Sequence, residues 1–166
     1  MIKPSLFVCT AFLVIACSET DVQHSADNSA VTEVKSESDV HTDRENWGDF
    51  HLYFNEDTHA TNSVIVGVAK IKPGEQVHPA HRHKDEEYLL ITKGEGIWLI
   101  HGEERPAKAG DMLYAAPWDY HGITAAADSP LEFVVFKYSA KDTPPPVDPD
   151  PSLPELDPRD PLTARN

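Results

Sequence analysis

Between Trp47 and Ala140, six short apolar runs follow one another: DFHLYF, SVIVGVAKI, EYLLIT, GIWLIHG, DMLYAA and LEFVVFKY. Turn-forming pairs at Pro73-Gly74, Lys93-Gly94, Gly102-Glu103 and Ala109-Gly110 separate them. This punctuation leaves no stretch of ten or more residues in which apolar positions recur with the 3.6-residue period of a helix. A chain so divided buries its apolar side chains by pairing short strands, and the turn spacing points to an all-β sandwich or barrel. All three tryptophans lie in this region and no internal repeat divides it, so residues 47–140 are expected to form one domain.

The flanks have a different composition. Residues 18–46 are polar and acidic, with Val22, Val31, Val34 and Val40 at no regular period. Such a segment buries too little apolar area to offset its chain entropy and is expected to be a disordered tether, with His24 and His41 solvated. Residues 141–166 hold eight of the fourteen prolines, which favour polyproline II and remove backbone donors, so an extended, coreless tail is expected. Such a tail is inert, lies over the domain or engages a partner. The chain has 28 Asp and Glu against 14 Lys and Arg, with more than half of the excess in the flanks. Without a basic stripe, it would be repelled by phosphate backbones, which argues against a nucleic-acid partner.

At the N-terminus, Lys3 precedes an apolar run from Leu6 to Ala16. Eleven residues are too few to span the roughly 30 Å of a bilayer interior but suit the apolar core of an export signal. The sequence Val14-Ile15-Ala16-Cys17 resembles a bacterial lipobox. This implies a signal peptide over residues 1–16, lipidation of Cys17 and a lipidated, disordered linker over 17–46. By the same resemblance, Ser18 directs the product to the outer membrane, facing the periplasm. Cys9 would leave with the signal, so the folded domain would hold no thiol for a disulfide, metal site or nucleophile.

The residues with most chemistry lie in HPAHRHKDEEYLLITKG, residues 78–94. His81 and His83 are two apart, a spacing that sends both imidazoles to one face of a strand and Arg82 to the other. Glu87 shares its face with Leu89 and Ile91, at the rim of an apolar interior, where a cation would neutralise a carboxylate that is costly to bury alone. Asp85 and Glu86 read as solvated turn charges. Downstream, GDMLYAAPWDYHGI brings His121 after a Gly-Asp turn and Pro117.

Together these segments resemble the two motifs of the cupin family, whose fold is a single jelly-roll β-barrel. Gly74, His81, His83, Glu87 and Gly94 match the first motif, with one extra residue between Gly74 and His81. Gly110, Pro117 and His121 match the second, although Pro117 is one position late, Asp119 replaces a usual glycine and the terminal asparagine is missing. The resemblance covers about 47–140. It implies that His81, His83, Glu87 and His121 hold one divalent transition metal, Fe, Mn, Ni, Cu or Zn, through three nitrogens and one oxygen. An octahedral ion so held keeps two positions for water or substrate.

Other residues near the motifs are weaker candidates. His78 sits at the extra position and is a solvated loop residue unless it replaces a ligand or contacts substrate. His51, His59 and His101 read as structural. Trp98, Tyr114, Trp118 and Tyr120 are candidates for a pocket wall or for core packing, and Glu87, Tyr114 and Tyr120 are the candidate proton-transfer groups. The family includes dioxygenases, decarboxylases, isomerases, cyclases and lyases, so the resemblance implies a metal-dependent enzyme on a small oxygenated molecule, or a non-catalytic metal or ligand module, without naming a reaction. Cupin lyases of dimethylsulfoniopropionate carry a tyrosine two residues after the glutamate; here that residue is Leu89, and Tyr88 faces the other way. No arginine is placed to anchor a substrate carboxylate, because Arg82 faces outward and Arg105 lies in the connecting loop. Short exposed strands favour a homodimer.

Overall fold

The computed structural model describes residues 32–153; the signal, lipobox and chain end lie outside the described residues. Eight strands form the fold: β1 (His41–Glu45), β2 (Gly48–Phe54), β3 (Thr61–Ile71), β4 (Glu86–Ile100), β5 (Glu103–Lys108), β6 (Met112–Ala115), β7 (His121–Ala125) and β8 (Leu131–Ala140). All pairings are antiparallel. The result is an all-β jelly-roll barrel, and the described residues include no α-helix, only a 3₁₀ turn at Glu37–Asp39.

The longest strand, β4, belongs to both sheets. Residues 86–94 pair with β8, while the outer side of 87–90 pairs with β6; residues 95–100 lie between β5 and β7. Lys93-Gly94 is therefore a bend within one strand and not the turn between two that the sequence suggests. A register shift between Ile91 and Lys93 and a positive φ of 79° at Gly94 let the strand change sheets without ending. Two further strands escape the apolar pattern. β5 is a polar edge strand that tolerates Pro106 because it pairs only with β4, and it contains Arg105, which is thus not in a loop. β7 is short and small-chained.

Alternation decides what lies inside. Leu89 and Ile91 of β4 face Val135 and Phe133 of β8, each at most 7% exposed, while Trp98 and Ile123 close the core from the other sheet. Each such side chain contributes roughly 1.5–3 kcal/mol of burial. Trp98 is therefore a core residue. Moving along the same inward rows, the next pair is Glu87 opposite Lys137, so the apolar interior becomes polar within a single step. That transition positions the site.

The disordered tether expected up to Asn46 ends earlier than its composition implies. β1 pairs with β2 from His41↔Leu52 to Glu45↔Gly48, and Thr42 Oγ1 lies 3.0 Å from Nδ1 of the buried His51. Lys70 Nζ donates to Glu37 at 2.6 Å. Backbone pairing on an open sheet edge requires no apolar side chains from the added strand, so the polar segment is recruited without a hydrophobic signature.

At the other end, the described tail residues 141–153 form no strand, yet they are not free of the domain. Arg82 forms an ion pair with Asp148 and donates to the Asp150 carbonyl at 3.3 Å, and Trp118 Nε1 donates to the Pro146 carbonyl at 2.7 Å. Arg82 does point away from the histidines, but its side chain is only 4% exposed, packed between this tail and the Trp118 ring, 5.3 Å from the guanidinium carbon. Truncation after Ala140 removes the tail partners Asp148, Asp150 and Pro146 while leaving Arg82 open to water. We expect a loss of about 1–2 kcal/mol, a few degrees in Tm, with metal content unchanged. Calorimetry with elemental analysis of the truncated chain checks both parts.

Candidate metal centre

Two stretches far apart in sequence are joined by backbone before any side chain is considered. His81 and His121 exchange both backbone hydrogen bonds, N–H to C=O at 2.8 and 2.9 Å, in an isolated antiparallel bridge. Trp118 N–H donates to the His83 carbonyl at 2.7 Å, tying the loop before β7 to the His81–His83 segment. The Trp118 backbone is left-handed, φ 71°, a conformation that a bulky residue keeps only when held from several sides. Glu87 comes from the start of β4, inward-facing by the strand alternation.

One ligand atom from each of His81, His83, Glu87 and His121 lies within 4.8 Å of the other three, and all four residues are buried. The three imidazole centroids are separated by 4.7–5.1 Å. His83 Nδ1 lies 3.0 Å from the Asp85 carbonyl and His121 Nδ1 lies 2.8 Å from the Asp119 carbonyl. These carbonyls can only accept, so each ring carries its proton on Nδ1 and presents the Nε2 lone pair to the cluster. Asp119, which departs from the family motif, serves through its backbone. Glu87 Oε2 is 3.2 Å from His83 Nε2, and Oε1 is 3.5 Å from His121 Nε2.

The electrostatics match this crowding. Burial, with the adjacent His78 and His121, pushes His81 down to about 2, so its ring is neutral at any physiological pH. Burial alone would raise Glu87, but contacts with His121 and His83 hold it below the usual carboxylate range. Burial opposes the charged form of His121, yet the Glu87 carboxylate and Asp119 outweigh it and raise that residue.

The donor set fits a divalent transition metal on an observation independent of motif. Both ring nitrogens of His81 and Nε2 of His121 are buried without a hydrogen-bond partner among the described residues. Orphaned polar atoms of this kind are rare in folded interiors, and here His81 and His121 both belong to the cluster of four. Three imidazole nitrogens with one carboxylate oxygen suit Fe, Mn, Ni, Cu or Zn and do not favour the all-oxygen shells of Mg or Ca.

The remaining candidates are distributed differently. His78 packs edge-on against His81, 4.2 Å between centroids, and its Nδ1 lies 2.9 Å from the Pro79 carbonyl; it borders the cluster without joining the four. Tyr114 is on the outer face of β6, 48% exposed, stacked on Tyr88 and donating to Glu86 at 3.2 Å. The inward residue opposite Glu87 on that strand is Ala115, so Tyr114 is removed from the proton-transfer candidates. Tyr120 is also exposed, and Trp118 packs on Arg82 under the tail. His59 and His101 are exposed.

Sequence reasoning missed two residues. Asp85, expected to be a solvated turn charge, is 3% exposed and accepts a hydrogen bond from Ser139 Oγ. Lys137, in the apolar run LEFVVFKY, is 2% exposed, with its ammonium 3.7 Å from Asp85 Oδ2. The period-two pattern carries a signal for Lys137, since it shares parity with Phe133 and Val135.

Residues 67–137 match the family model of the cupin domain. An oxalate-binding protein of Thermotoga maritima is 32% identical over 85 residues, covering 51% of this chain and 69% of that protein. Dimethylsulfoniopropionate lyase DddW of Ruegeria pomeroyi is 35% identical over 69 residues, 42% of this chain and 45% of the lyase. A gentisate 1,2-dioxygenase of a Streptomyces species is 27% identical over 77 residues, 46% of this chain and 21% of the dioxygenase. The chain thus spans less than half the length of the lyase and of the dioxygenase.

Proposed function

This chain belongs to the cupin superfamily, and from that premise we propose that it is a metal-dependent enzyme of the dioxygenase, lyase or isomerase type acting on a small oxygenated molecule. The observation that carries the reading is the convergence of four buried ligand atoms within 4.8 Å, two of them, on His81 and His121, without a hydrogen-bond partner among the described residues. His81, His83, Glu87 and His121 would hold one divalent transition metal. When bound, such an ion supplies Lewis acidity toward a substrate oxygen. The chain's own residues do the rest. The carbonyls of Asp85 and Asp119 keep two imidazoles in the right tautomer, the Leu89, Ile91, Phe133 and Val135 layer keeps bulk water from one side, and Glu87 is the carboxylate able to take a proton. The relatives' names, a dioxygenase and a lyase, support small oxygen-rich substrates as a class without choosing a reaction.

A second reading is a non-catalytic metal or ligand module, favoured by the relative named as an oxalate-binding protein, 69% of which this chain covers. Elemental analysis of the purified chain, followed by a substrate panel under the metal found, separates the two. Stoichiometric metal with turnover supports the enzyme; metal with tight ligand binding and no turnover supports the module; absence of metal overturns the enzyme and the metal-binding form of the module.

The anchoring reading rests on the N-terminal sequence, outside the described residues. We infer lipidation at Cys17 and an outer-membrane location facing the periplasm; among the described residues no helix is long and apolar enough to cross a membrane. The outer face of the β6–β4–β8 region, with Met112, Tyr114 and Phe136 at 41–61% exposure, supports a homodimer through that face. Light scattering on the soluble domain tests the dimer.

A further inference from the structure

Resting on the metal-centre reading above, we propose that Lys137 is an anchor for a carboxylate group and that the molecule bound in this barrel is therefore a small carboxylate. Lys137 faces Glu87 directly across the β4–β8 pairing, and side chains so paired stand on the same face, here the interior. Its ammonium is buried and finds no hydrogen-bond partner among the described residues. Asp85 Oδ2, at 3.7 Å, is near enough to offset charge but too far to accept a hydrogen bond. Asp85 Oδ1 already accepts from Ser139, so the lysine's three donors remain for another acceptor.

Position along the inward rows gives these donors a direction. The pairs run from Ile91 with Phe133, through Leu89 with Val135, to Glu87 with Lys137. Asp85 and Ser139 lie beyond, so Lys137 leans away from the apolar core. On the inward face Lys137 therefore stands directly across from Glu87, one of the four residues of the cluster.

Charge decides the ligand class. Arg82 is neutralised by Asp148 on the outer side, which leaves Asp85, Glu87 and Lys137 as the buried charged residues of the interior beside the histidines. With neutral imidazoles these sum to one negative charge, and a divalent ion converts that to one positive charge. A single carboxylate restores neutrality. A phosphate dianion would overshoot and would face Asp85 and Glu87 with one lysine to hold it, without an arginine fork.

The test uses the full chain loaded with Zn(II), a redox-inert probe, with the monoanion glycolate and uncharged glycolamide titrated by calorimetry and zinc content measured on each sample. Wild type is expected to bind glycolate, and Lys137→Met to bind it roughly tenfold or more weakly, with zinc content unchanged. Asp85→Asn, which removes the internal competitor for the ammonium, is expected to bind glycolate more tightly than wild type. A purely structural ion pair predicts no such gain. If Lys137→Met does not fold, the double variant Lys137→Met/Asp85→Asn removes both charges together and replaces it. Equal glycolate affinity in wild type and the lysine variant, or glycolamide bound as well as glycolate, overturns the proposal while leaving the metal centre intact. Zinc held by a wild type that binds no glycolate does the same. A wild type that takes up no zinc overturns the metal centre, and this proposal with it.

Discussion

His81→Ala is expected to lower metal affinity by more than roughly 100-fold, beyond the 10–100-fold typical of changing an outer-shell partner of a metal ligand. The same substitution should leave the metal-free barrel folded. In the metal-free protein neither ring nitrogen of His81 has a hydrogen-bond partner among the described residues, so truncation removes an unsatisfied polar group and loses only packing. Its backbone bridge to His121 survives because those bonds do not involve the side chain. The two states therefore separate cleanly. Metal at a thousand times its dissociation constant stabilises a protein by about 4 kcal/mol, so added metal should raise the Tm of wild type by several degrees and that of His81→Ala by at most about a third as much. Equal metal content in the two proteins, or an equal rise in Tm, would remove His81 from the ligand set. Glu87→Gln makes a useful companion, retaining shape while withdrawing the charge that His83 and His121 face.

The largest effect on folding is expected from Gly94→Ala, although Gly94 is not among the four metal ligands. A Cβ at this position would fall 1.8 Å from the Pro130 carbonyl oxygen and 2.9 Å from its carbon, both backbone atoms at the entrance to β8. The positive φ of 79° adds its own penalty of about 1–2 kcal/mol for an alanine. Relief requires β4 and β8 to separate where β4 changes sheets, which disturbs the pairing that carries Ile91, Leu89 and Glu87 inward. We expect a loss above about 3 kcal/mol, with a Tm drop of roughly ten degrees or more and metal affinity falling with it. Gly110→Ala is the control. Gly110 also has a positive φ, 93°, but a Cβ there would meet nothing within 4 Å, so only the conformational penalty applies. Thermal melts of the two variants should differ by several degrees, and equal melts would show that close approach at Pro130 does not govern this position.

Much of the architecture is legible from the chain because alternation and turn residues are local. The apolar runs that form β2, β3, β4, β6 and β8 announce themselves by period, and His81, His83 and Glu87 announce their shared face by spacing. What local pattern does not carry is the partner across a sheet. β1 and β5 are held by backbone pairing on edges, and neither needs an apolar side chain to form. Asp85 reads as a turn charge because its ion-pair partner, Lys137, lies far along the chain on β8. Tyr114 reads as a pocket residue because sequence proximity to His121 does not reveal that Ala115, and not Tyr114, is the inward side chain opposite Glu87.

Sequence by itself determined the all-β class and the cupin resemblance, and that resemblance implied His81, His83, Glu87 and His121 as one set. These depend on residue type and short-range spacing, which set strand period and turn position directly. Tertiary structure alone decided that β4 runs through Gly94 into a second sheet, that the proline-rich tail covers Arg82, and that a lysine without a hydrogen-bond partner among the described residues stands beside the histidine cluster. Each of these depends on register between strands distant in sequence, and register is fixed by the sum of pairing and packing over the whole barrel.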